Sequence, residues 1–164
     1  MMANEGDKSI QIREDGRLDG YDRKILRILA LDGRITAADL ARQVGLSKSP
    51  CGVRLQKLQA EGYIQGFRAV LDPAKLGLDH IAFVEVRLKD TTEAALQAFN
   101  AAVRQVPEIE QCHMIAGAFD YLLKVRTRDI KAYRAVLGEV VSALPHVASS
   151  STHVSMEAVK ENAL

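Results

Sequence analysis

Three apolar-periodic segments broken at glycines, a basic surplus confined to that region, and a later alternation of strand and helix patterns predict an α+β chain. The expected architecture is an N-terminal winged helix-turn-helix domain followed by a C-terminal ferredoxin-like βαββαβ sandwich. With 164 residues and 48% apolar content, the chain is long enough to bury a core in each.

Residues 1–17 are polar, mixed in charge and contain two glycines, too little apolar area to offset the entropy of ordering, and are read as a flexible arm. From Leu18 the pattern changes. Asp19 is placed to cap a helix in which Ile25, Leu26, Ile28 and Leu29 recur at helical spacing until Asp32, Gly33 and Arg34 stop it. Thr36, with Asp39 three residues on, resembles a capping box and opens a second helix through Leu40, Ala41 and Val44 to Gly45. Ser47 is the expected cap of a third, and Pro50 falls in its first turn, where a missing amide proton costs nothing. Cys51, Leu55 and Leu58 give that helix one apolar stripe, leaving Lys48, Ser49, Gly52 and Gln56 on the opposite face. After Gly62 the run "YIQGFRAVLD" alternates loosely and predicts a short hairpin before Asp72-Pro73. Three helices and a hairpin outline a winged helix-turn-helix over 18–66, with 67–79 a hairpin or hinge linker.

The second half, 80–159, begins with a strand, "HIAFVEVRL". A helix with Leu96, Phe99, Val103 and Val106 on one face ends at Pro107. "IEQCHMIAG" and "DYLLKVRT" read as strands joined at residues 117–119. A second helix is expected to turn Ile130, Tyr133, Val136, Leu137, Val140 and Leu144 inward before Pro145 ends it, and "VASSSTHVSMEAV" supplies the last strand. Residues 160–164 are read as a tail. Both helices would cover one sheet face. Phe83, Val84, Val86, Met114, Ile115, Leu122, Leu123 and Val154 are too apolar a set for that side alone, so the bare face is expected to pair subunits, making at least a dimer.

The net charge of +1 conceals an uneven distribution: between Arg34 and Arg68 stand six basic residues against two acids. Cys51 and Cys112 have no spacing that suggests a disulfide or zinc site. Neither a membrane span nor a signal-peptide core is apparent, so the expected location is the cytoplasm, without membrane contact. Cys112 and His113, adjacent on a strand, point to opposite faces and do not readily share a metal ion. The serines at 149–151 have no local base or oxyanion loop, and no glycine-rich phosphate loop occurs, so no cofactor and no catalysis are expected.

The third helix is therefore the candidate reader of double-stranded DNA, its amides and dipole facing phosphates and its side chains reaching base edges. Ser47, Lys48, Ser49, Arg54 and Lys57 are the candidate contacts. Equal affinity for all duplexes would instead favour a metabolite-sensing protein-interaction module. Taken by itself, the segment Gly117–Asp120 reads as a hairpin turn, with glycine at positive φ and Asp120 bonding its own backbone.

The motifs "GLSKSPC" and "RLQKLQAEGYI", followed later by "CHMIAGAFDYLL", resemble the leucine-responsive regulator (Lrp/AsnC) family of transcription factors over about residues 18–159. The resemblance implies a DNA-binding N-terminal domain and a C-terminal domain that senses a small amino acid and dimerises by its sheet, with dimers assembling further, commonly to an octamer at the nucleoid. It also implies an effector site between dimers, at Met114, Gly117, Asp120, Ile130, His153, Val154 and Ser155. Turn amides around Gly117 suit a carboxylate and Asp120 an ammonium group. His153 stands where many members of that family carry tyrosine.

Overall fold

The computed structural model describes residues 17–161 and divides into two compact units, one up to Val70 and one from Leu71. Of the segment read as an arm, only Arg17 is among the described residues, and the tail is described as far as Glu161.

In the first unit, α1 spans Gly20–Leu31, α2 Ala37–Val44 and α3 Lys48–Ala60. Asp19 caps α1 by accepting from the amides of Tyr21 and Asp22 at 2.8 and 2.9 Å, and Asp22 reciprocates toward the Asp19 amide. The Thr36 hydroxyl accepts from the Asp39 amide and donates to the Asp39 carboxylate, closing the start of α2. Gly45 makes the turn. At φ 85° its amide donates to the carbonyls of Ala41 and Arg42, a left-handed C-terminal cap that a side chain would strain. The three helices close over Leu18, Ile25, Leu40, Ala41, Val44, Cys51 and Leu58, all buried.

The expected hairpin over residues 63–72 is corrected: that segment forms no paired strands. Ile64 is drawn in by its backbone amide, which donates a hydrogen bond to the Leu58 carbonyl. Phe67, Val70 and Leu71 remain 52%, 79% and 65% exposed, so no buried face is present to fix a strand register.

In the second unit, β1 (His80–Leu88), α4 (Glu93–Val103), β2 (Ile109–Met114), β3 (Tyr121–Thr127), α5 (Ile130–Ala135) and β4 (Val147–Val154) follow in order. The strands form one antiparallel sheet in the order β2-β3-β1-β4, the ferredoxin-like arrangement. Val84 stands opposite Leu123 and Thr152, and with Val86, Val125, Phe99 and Val141 these residues centre the core between sheet and helices.

Two expectations change here. After Ala135 the helix widens into a π turn over Val136–Val140 and tightens to a 3₁₀ turn at Val141–Ala143. The Ser142 hydroxyl supports the wide turn by donating to the Leu137 carbonyl at 2.8 Å, and Gly138 with the β-branched valines disfavours regular α geometry. The inserted residue shifts the helical phase, so Val141 is fully buried and Val140 only half-buried; separately, Ile130, expected inward, stands at the first position of α5 and is 53% exposed.

The second concerns the sheet face away from the helices, expected to be broadly apolar. Val84, Val86 and Leu123 lie in the helix-covered core, whereas the open face alternates Phe83 and Leu122 with Glu85, Arg87, Lys124 and Arg126. Part of it is already covered. The Glu161 carboxylate accepts from Arg126 Nη2 at 2.9 and 3.0 Å and pairs with Lys124, while Glu110 pairs with Lys124 at 3.0 Å and with Arg126. Burial pushes the Glu110 carboxyl up, but the bonds from Arg126 and Lys124 outweigh it and hold the group below its ordinary value. Residues 155–161 thus strap the sheet, leaving a hollow of about 440 Å³ bordered by Ile81, Phe83, Gln111 and Lys124.

Candidate functional site

The first candidate surface is the outer side of α3. Ser47 occupies the N-cap position in extended conformation, yet its hydroxyl makes no capping hydrogen bond, so this side chain is not consumed by the helix start. Lys48 and Ser49 are exposed in the first turn, and exposed Lys57 makes only a loose pair with Glu61 at 3.9 Å.

Arg54 is placed differently. It lies roughly 140° around the helix from Ser49, with Nη1 2.5 Å from Asp19 Oδ2 and 2.8 Å from Asp22 Oδ1, and its guanidinium sits 5.3 Å from the Tyr21 ring centre. The Asp22 amide, above all, and the Arg54 guanidinium hold the Asp19 carboxyl below its ordinary value, while the two carboxylates raise the Arg54 pKa. Asp22 is only 2% exposed, so Arg54 neutralises a buried charge and ties α3 to the start of α1.

The outward strip of α3 is made instead by Ser49, Gly52, Val53 and Gln56, at spacings of three, four and seven from Ser49. Val53 is missing from the sequence-derived contacts. Its signal was its exclusion from the Cys51, Leu55 and Leu58 stripe.

The expected effector residues fall into two groups at opposite corners of the sheet. Met114, Gly117 and Asp120 surround the turn between β2 and β3, where the Ile115 amide donates to the Asp120 carbonyl at 2.8 Å. The Asp120 amide donates to the Val86 carbonyl, and its carboxylate accepts from the Leu88 amide at 2.7 Å. Asp120 therefore clamps the turn to β1 and does not bond its own backbone. Gly117 is absent from the positive-φ glycines, and a Cβ there would make only an ordinary 3.5 Å contact with Ile115, so neither element of the simple-turn reading holds.

Ile130, His153, Val154 and Ser155 lie at the far corner, on α5 and around the end of β4. His153 Nε2 is 3.3 Å from Glu85 on the open face. At the same end His80 Nδ1 is 3.0 Å from Thr127 Oγ1, its buried Nε2 has no hydrogen-bond partner among the described residues, and Tyr133 Oη meets Thr152 Oγ1 at 2.5 Å. Sequence reasoning missed His80, because the register placing it beside Thr127 is non-local. The first group lies at the end of β1 near Val86 and Leu88 and the second at the end near Ile81 and Phe83, with Met114 and His153 on opposite edge strands, so the two groups do not form one pocket within a subunit.

Among the described residues no group of three or more histidine, cysteine or acidic side chains is placed to hold a metal, and no helix is long and apolar enough to cross a membrane.

Comparison with known proteins follows the same division. Residues 18–65 match a winged helix-turn-helix DNA-binding model and residues 81–164 the Lrp/AsnC ligand-binding domain. The chain is 61% identical over 147 residues to a proline dehydrogenase transcriptional activator of Rhizobium radiobacter, covering 90% of this chain and 94% of that protein. It is 45% identical over 145 residues to the leucine-responsive regulatory protein of Salmonella typhimurium, covering 88% of each. Among solved structures, an AsnC family transcriptional regulator from Agrobacterium tumefaciens superposes with a TM-score of 0.82 at 37% identity, covering 88% of this chain and 94% of that one. A transcriptional regulator of Neisseria meningitidis in complex with L-Met superposes with a TM-score of 0.81 at 31% identity, covering 88% and 93%.

Proposed function

Because the chain belongs to the Lrp/AsnC family of transcriptional regulators, we propose that it recognises operator DNA through α3 and that its assembly responds to an amino acid. The observation that carries this reading is the outward strip of α3, where Ser49, Val53 and Gln56 are exposed and are flanked by the exposed cations Lys48 and Lys57. Ser47, Lys48, Ser49 and Lys57 then meet the duplex, and Arg54 serves by fixing the helix that carries them. Two such helices in a dimer address half-sites one helical turn, or a multiple, apart.

The effector is a small amino acid, in keeping with relatives named for proline dehydrogenase activation and leucine response and with the L-Met complex of a structural neighbour. Its two candidate half-sites lie too far apart to close on one ligand in a single subunit, which favours a pocket completed between copies, in dimers assembled further to an octamer. The protein works in the cytoplasm, on the nucleoid, as a regulator of amino-acid metabolism and not as an enzyme. Differential affinity of the effector for two assembled states supplies the coupling.

Binding to operator fragments, followed by fluorescence anisotropy at several salt concentrations, tests the DNA reading. Replacing Lys48 and Lys57 together by alanine weakens binding to all duplexes and reduces the slope of log K against log salt by about 2. Equal affinity of the unmodified protein for all duplexes, unaffected by the double variant, overturns the reading. Thermal-shift screening against the amino acids, with light scattering on each hit, tests the sensing half.

A further inference from the structure

Two exposed side chains on α3 have no evident part in holding the fold. Val53 is 65% exposed in the middle of the helix, where a β-branched residue lowers helix propensity and here buries little in return. Gln56, one turn on, is also exposed, and its side chain makes no hydrogen bond among the described residues. Beside both lies Gly52, where an added Cβ would meet nothing within 4 Å, so packing does not demand a glycine there. The strip therefore consists of an apolar knob, a carboxamide and a gap that brings the helix backbone to the surface. Lys48 and Lys57 lie toward its two margins, roughly 80–100° around the helix from Ser49, and Arg54 is held away by Asp19 and Asp22.

From this arrangement, and resting on the DNA-binding reading above, we propose that Val53 and Gln56 are the base-reading residues and that they select A·T pairs in the major groove. The Gln56 carboxamide is suited to donate to N7 and accept from N6 of adenine, and the Val53 methyl groups are suited to the C5 methyl of thymine. Gly52 lets the helix approach closely enough for both. A G·C preference would call for an arginine or lysine at the centre of the strip. The arginine of this helix is engaged elsewhere and its lysines stand at the margins, where phosphates lie.

The test is selection from a random duplex pool at one fixed salt concentration, with the unmodified protein, Gln56→Ala and Val53→Ala, each checked for unchanged circular dichroism. The unmodified protein should enrich sites with fixed A·T pairs, and Gln56→Ala should relax the adenine position by roughly 5- to 150-fold, the range expected for losing one bidentate base contact. Atom-level substitution in the selected duplex then assigns the partners. Replacing adenine by 7-deazaadenine should weaken the unmodified protein but not Gln56→Ala, and replacing thymine by deoxyuridine should weaken it but not Val53→Ala. If the unmodified protein selects a sequence that both variants select equally, or is indifferent to both base analogues, this assignment is overturned while the DNA-binding reading stands. If it selects no sequence at all, both fall together.

Discussion

Arg54 shows how a charge in a basic stretch is engaged within the fold. Its two acceptors lie 35 and 32 residues upstream, and one of them, Asp22, is almost wholly buried. Removing the guanidinium strands that carboxylate, so Arg54→Ala should lower the midpoint of thermal unfolding by several degrees, and adding Asp22→Asn should restore part of the loss, because the stranded charge is gone. Arg54→Lys should recover less than full stability, since an ammonium can supply N–H donors to the carboxylates but lacks the planar guanidinium that lies over the Tyr21 ring. The same Arg54→Ala protein should bind operator more weakly with its salt slope unchanged, whereas Lys57→Ala alone should lower the slope by about 1. Calorimetry and anisotropy, read together, separate the two roles. Sequence alone grouped Arg54 with Lys57 because charge is visible in a string of letters. The carboxylates that claim it come near only when α1 and α3 pack.

Among elements, the legible boundaries were those set by neighbouring residues. Asp19 and Thr36 each accept from an amide two to three residues ahead, and the cap of α2 at Gly45 is equally local, so these ends are written in short motifs. Thr92 and Asp129 cap α4 and α5 by the same local rule, although sequence reasoning did not single them out. The π turn at Val136–Val140 was not, because its phase is decided by which valine the core accepts, and the unpaired segment 63–72 was not, because alternation without a burying partner leaves strand and coil alike. Gly52 adds a prediction at this scale. It is interior to α3 and unconstrained by contacts, so Gly52→Ala should stabilise the first unit by about 0.5–1 kcal/mol through the lower entropy of its unfolded chain. If the helix backbone lies against base edges, the same methyl group should weaken operator binding. Denaturant titration and anisotropy on that one variant should therefore move in opposite directions, a result that packing effects alone do not produce.

For the whole molecule, the positions of the two candidate effector corners bear on how the proposed sensor is built. The turn held by Asp120, between β2 and β3, and the corner carrying His153, on β4, lie at opposite ends of a sheet whose order is fixed by three antiparallel pairings, so small side-chain movements cannot bring them together. A ligand that needs both must be shared between copies, and its affinity then depends on assembly and, reciprocally, assembly depends on it. Mixing variants tests this directly. Gly117→Val fills the space beside the turn, and His153→Ala removes the imidazole at the far corner; each alone should abolish the effector's thermal shift and its effect on particle mass. Unfolded and refolded together at equal concentration, the two proteins should regain part of both responses, because some pockets then take an unaltered turn from one subunit and an unaltered imidazole from another. If the mixture stays as unresponsive as its components while light scattering shows normal assembly, each pocket lies within one subunit and the shared-site reading fails.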